Sequence, residues 1–199
     1  MTDVAPDAQR LRISTTLAAS IAAAGGSALL AIALHAVVGT AAYAWVLTAL
    51  ITAAAIAPVA IDLRVRKLPN RWVAPIAAAG AAQAFAIAYA TVDPWRVFWP
   101  VIVASIVAAF YIALGLAGMF GLGDAKFAAA LSITVAIYAG PLALYLIPIA
   151  MLLGGLWRAV LAAAGRGKRP RAHGPAIAIA AVAILVTTIA LQQAAGALQ

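Results

Sequence analysis

The chain contains no cysteine and no glutamate. Without cysteine there are no disulfides, no thiolate metal sites and no thiol nucleophile. Without glutamate, any carboxylate chemistry falls to five aspartates: Asp3, Asp7, Asp62, Asp93 and Asp124. Charge is scarce altogether, at 9% of 199 residues. The sequence also lacks a long polar stretch that could cover a water-soluble core.

What it has instead is apolar length. Hydrophobic residues make up 67% of the chain, and the mean hydropathy is +1.09. A soluble domain of this size could not bury so much apolar surface, whereas a hydrocarbon layer about 30 Å thick accepts helices of roughly 20 apolar residues. The expected fold is all-α, a polytopic membrane helix bundle of about seven transmembrane helices. Apolar spans run over about 13–38, 41–61, 72–91, 97–119, 125–139, 141–158 and 174–195. Ala139-Gly140-Pro141 marks a break between the fifth and sixth. The division expected is a polar N-terminal tail over 1–12, an additional helix over 13–40, and a six-helix core over 41–199.

The net charge of +8 would suggest nucleic acid in a soluble protein. Here the cations sit in short loops between apolar spans, where they read as topology signals and contacts to anionic lipid, and no nucleic-acid partner is expected. With the N-terminus in the cytoplasm, 12 of the 13 lysines and arginines fall on the cytoplasmic side and only Arg96 on the other. Asp62 and Asp124 then share the cytoplasmic end of the bundle.

Of the five aspartates, Asp3 and Asp7 belong to the tail, and Asp93 lies in the turn-like Thr91-Val92-Asp93-Pro94. Asp62 opens Ile61-Asp62-Leu63-Arg64-Val65-Arg66-Lys67-Leu68-Pro69-Asn70 where a span meets the cytoplasm, and Asp124 follows the glycine-rich Gly121-Leu122-Gly123. A carboxylate at a membrane edge is costly unless partnered or employed. Two of them brought close share a proton, so one can activate water while the other polarises a carbonyl. Gly121 and Gly123 are expected to supply unusual backbone angles and room for a substrate strand. The plain structural alternatives are an aspartate N-cap at Asp124 and an interfacial ion pair at Asp62.

Three motifs occur in order: Asp62 with Leu68-Pro69-Asn70, Gly121-Leu122-Gly123-Asp124 with Lys126 and Phe127, and His173-Gly174-Pro175-Ala176-Ile177-Ala178. Together, over roughly residues 41–195, they resemble the type IV prepilin peptidase family, membrane aspartic proteases of the GxGD type. The short form is similar to the peptidases of Flp-type (Tad) pili. The resemblance implies catalytic Asp62 and Asp124 with Gly121, Gly123, Lys126, Pro69, Asn70, Gly174 and Pro175 in support. It implies a substrate prepilin or pseudopilin with a basic leader and an apolar helix, cut at the cytoplasmic face of the bacterial inner membrane. The cysteine-rich segment that larger members associate with zinc and N-methylation is absent, so methylation is not expected. Two histidines, His35 and His173, make a poor metal site, and no metal or cofactor is expected. Pro69 and Asn70 fit a turn, with Asn70 a candidate to orient Asp62. Lys126 reads as a helix-end cation, and His173 as a polar residue at a span entrance. A proton-coupled transporter and a catalytically silent assembly protein of a pilus or secretion machine are the competing classes.

Overall fold

The computed structural model describes residues 6–165 and 172–196; for residues 6–13 and 34–41 it describes the backbone alone. Among the described residues the regular structure is entirely helical. The elements are α1 (Pro6–Val65), α2 (Asn70–Thr91), α3 (Trp95–Leu116), α4 (Leu122–Ala139), a 3₁₀ turn over Gly140–Tyr145, α5 (Leu146–Ala163) and α6 (Gly174–Ala194). In hydrocarbon no water is present to satisfy backbone N–H and C=O groups, so an apolar alanine-rich chain closes its hydrogen bonds within each segment.

Six described stretches are long and apolar enough to cross a membrane. Two of them, Ser14–Ala33 and Ala42–Val65, lie in α1. A straight α1 would carry Ser27 about 50 Å from Asp62 at 1.5 Å per residue. Yet Ser27 Oγ donates to the Ala79 carbonyl at 3.1 Å, and Ala79 lies only about 14 Å along α2 from Asn70. Further on, α1 runs antiparallel to α6, tied by Trp45 to Gln193 at one end and by Asp62 to Gly174 at the other. The chain therefore reverses between Ser27 and Trp45, and α1 makes two passes beside α2 and α6.

A third stretch, Leu122–Ala163, is 42 residues long and also doubles back. Gly140 interrupts it with φ 54 and ψ −130, a conformation open in practice only to glycine. Near its end, the Arg158 guanidinium lies 5.5 Å from the Phe120 ring, just before the start of α4. Both ends of this stretch thus share one face, and the count of passes is seven, as the hydropathy pattern leads one to expect.

That common face, the acid face, carries Asp62, Asp124 and the described cations Arg64, Arg66, Lys67, Arg71, Lys126 and Arg158. Arg96 lies at the opposite end, bonded to the Ile137 carbonyl and paired with Asp93 at 3.2 Å. Asp93 also accepts from its own turn, through the Trp95 N–H, as its Asp-Pro context suggests. Helix α4 is the centre of the bundle, packed against α2, α3 and α6, with twelve buried residues of which Phe127, Ala128, Leu131 and Val135 are fully enclosed. Asp124 therefore stands on the first turn of the most enclosed helix.

Candidate active site

Asp62 lies in the last turn of α1 and is only 4% exposed. The helix stops because Arg66 adopts a left-handed conformation, φ 52, and returns its N–H to the Asp62 carbonyl at 2.9 Å. This turn swings Lys67-Leu68-Pro69 across the acid face, and Pro69, with φ −70 and ψ 138, feeds α2 at Asn70. The Asp62 carboxylate faces the first residue of α6: Oδ2 accepts the Gly174 N–H at 2.9 Å. A side chain at Gly174 would place its Cβ 2.7 Å from that oxygen, so the approach requires glycine. Pro175 follows within the first turn of α6, where an N–H would have no helical partner to lose.

Asp124 is the third residue of α4. It is not the N-cap: that position belongs to Gly121, whose N–H donates to Asp124 Oδ2 at 3.1 Å. The expectation of unusual glycine angles is corrected here. Gly121 has φ −83 and ψ 148, and neither it nor Gly123 has a positive φ. Gly123 is small for another reason: a Cβ there would come within 3.2 Å of Leu68 Cβ, so what it admits is the chain's own cleft loop. A Cβ on Gly121 would meet nothing closer than 3.6 Å.

These elements enclose a cleft of about 530 Å³ on the acid face. Asp62 and Asp124 both line it, with Pro69, Asn70, Gly121, Gly123 and Lys126 around them and Arg66 and Lys67 at its rim. The two carboxylates are near enough for their charges to act on one another, and Arg158 acts on Asp124. Of the catalytic and supporting residues that the resemblance implies, only Gly174 and Pro175 lie outside the lining, behind Asp62. Asn70 does not make the contact with Asp62 suggested for it; its Oδ1 accepts from Lys126 Nζ at 3.2 Å, closing one side of the cleft.

Behind the cleft lies a cluster that the sequence pattern did not assemble. His173, 4% exposed, has its Nε2 3.2 Å from the Tyr111 hydroxyl and its ring centroid 4.5 Å from that of Phe120. Burial, reinforced by the nearby Arg158 charge, pushes its pKa down to about 4, so the ring is neutral near pH 7. Phe120 could have been noticed for its place just before Gly121. Tyr111, a hydroxyl within an apolar run, gave no signal, and Arg158 read only as a loop cation. The His35 side chain lies outside the described residues. Among the described residues, no three histidine or aspartate side chains gather as metal ligands.

The chain is thus a multi-pass helical membrane protein with two acids lining one cleft at one end of its bundle. The family model of the type IV leader peptidases matches residues 49–159, more than half the chain, and the chain belongs to that family, a family of membrane peptidases. The match takes in Asp62, the cleft loop, Asp124 and Arg158, and ends before His173. No curated protein and no solved structure matches the chain.

Proposed function

We propose that the protein is an aspartic endopeptidase that removes the short basic leader of Flp-like type IV prepilins or pseudopilins at the cytoplasmic face of the bacterial inner membrane. The observation that carries this reading is the convergence of Asp62 and Asp124, two of only five acids, on one cleft at one end of the bundle. One carboxylate takes a proton from water as its oxygen attacks the scissile carbonyl carbon. The other, protonated, donates to the carbonyl oxygen. Collapse of the tetrahedral intermediate breaks the C–N bond, and the proton gained from water passes to the leaving amine. As the carbonyl re-forms, the proton donated to its oxygen returns to the second aspartate, so every proton transfer falls to the pair of aspartates.

The excess of cations on the acid face supports a cytoplasmic placement for it. The basic leader is drawn to the two aspartates within the cleft, and its apolar helix remains in lipid beside the bundle. The GxGD and Leu-Pro-Asn resemblance supports the choice of substrate.

Co-expression with an Flp-type prepilin tests the proposal, leader removal being followed on a gel. The wild type is expected to cleave, and Asp62→Asn and Asp124→Asn each to lose at least about a hundredfold while still inserting in the membrane. Cleavage at the wild-type rate by either variant would sink the paired-aspartate reading.

A further inference from the structure

Among the described residues, the buried imidazole of His173 has no part in the paired-aspartate mechanism. Its surroundings hold it from several elements at once. From α3, the Tyr111 hydroxyl meets Nε2 at 3.2 Å; from the loop before α4, the Phe120 ring packs against it at a centroid distance of 4.5 Å. From α5, Gly154 leaves no slack: a Cβ there would lie 2.7 Å from Nδ1 and 2.8 Å from Cε1. Among the described residues, the charged side chain with a marked influence on the ring is Arg158, also of α5.

Directly after His173 in the chain comes the Gly174 amide, the donor to Asp62 Oδ2. The peptide plane between residues 173 and 174 aims that N–H, and one end of the plane is anchored by the imidazole. The other end is pressed against the carboxylate, with no space for a Cβ at Gly174. Two close glycine approaches, Gly154 to His173 and Gly174 to Asp62, thus form a rigid line from α5 through the start of α6 to the end of α1. The ring does not line the cleft that holds the two acids. One nitrogen is engaged by Tyr111 and the other faces Gly154, so neither is presented to a substrate.

Resting on the aspartic reading of the site, we propose that His173 is a positioning residue: wedged between Tyr111, Phe120 and Gly154, its ring fixes the Gly174 amide and through it the Asp62 carboxylate. The ring works by shape, as a flat aromatic body, and transfers no proton. A misplacement of about 1 Å at a reacting group can cost about a hundredfold in rate, which gives the wedge its functional weight.

The test uses the purified full-length protein in lipid nanodiscs, with wild type and Asp62→Asn as references and a prepilin as substrate. His173→Ala and Gly154→Ala should each lower kcat by about a hundredfold with little change in KM. His173→Phe, which keeps a flat ring of similar volume, should recover activity to within about tenfold of wild type, with an unchanged pH profile. A second readout needs no activity: the ¹H–¹⁵N resonance of the Gly174 amide, shifted by its bond to the carboxylate. It should move in His173→Ala and Gly154→Ala and stay in place in His173→Phe. If His173→Phe is as inactive as His173→Ala while the Gly174 resonance is unmoved, the imidazole does chemistry and the proposal fails. It fails equally if His173→Ala leaves the Gly174 resonance and kcat unchanged, or raises KM alone. If the wild type cleaves no prepilin, the proposed function is at fault, and the resonance still decides whether His173 sets the Gly174 amide.

Discussion

At the level of single residues, the two glycines of the Gly121-Leu122-Gly123-Asp124 motif make different demands. Gly123 abuts Leu68 and Gly121 does not, so alanine substitutions should separate them. Gly123→Ala is expected to cost about 1–3 kcal/mol by overpacking the cleft loop, and Gly121→Ala less than about 0.5 kcal/mol, as read from thermal unfolding in a fixed detergent. Equal costs would show that the Leu68 contact does not matter. His173 makes a prediction of the opposite kind, in pH. Its ordinary value is 6.5 and the folded value is about 4, so between these the unfolded chain binds the extra proton. This contribution to stability is intact above about pH 6.5 and is lost as pH falls toward 4. His173→Phe should flatten the melting temperature over that window; an unchanged slope would mean that His173 titrates normally.

At the level of elements, the turns carry the strain and much of the positioning. Gly140 ends α4 with φ 54 and ψ −130 while the Trp99 indole lies 3.6 Å from where a Cβ would stand. Gly140→Ala should therefore cost about 1–3 kcal/mol of backbone strain, measured as a loss of thermal stability; a neutral result would show that the chain can turn there by another path. This break was legible in the sequence, because Ala-Gly-Pro interrupts an otherwise continuous apolar run. So were the order of the spans and the placing of both aspartates at span ends, since hydropathy and the distribution of lysine and arginine report directly on membrane depth. The Arg66 turn was not legible. A left-handed residue is sought at glycine, and here arginine holds that conformation at the exit from α1. The partners of Gly123, Gly174 and Asn70 were hidden for a related reason: each contact joins segments distant in the chain, and neither periodicity nor local motif encodes which neighbour arrives. Tyr111 is the extreme case, a residue whose hydroxyl acquires meaning only when α6 brings His173 against it.

At the level of the whole molecule, the reversal within α1 is the feature with the largest geometric consequence. It brings Ser27 against Ala79, which a straight α1 would separate by tens of ångströms. Because the chain has no native cysteine, Ser27→Cys with Ala79→Cys creates a unique pair, and oxidation should cross-link the two within one molecule in native membranes. Failure of that pair to join would show that the first pass does not lie on α2. The bundle otherwise closes around α4, with Asp62 and Asp124 at one end and Asp93 and Arg96 at the other. The bond between Asp62 and Gly174 spans 112 positions of the chain, and this separation bears on how the protein is made. During synthesis Asp62 enters the membrane early and waits, its carboxylate without its amide donor, while four further passes are laid down. Only when the last helix threads into place does the donor arrive. The cleft is thus finished by the final act of insertion, so an incomplete chain held in the membrane has both aspartates but not the fixed arrangement around them.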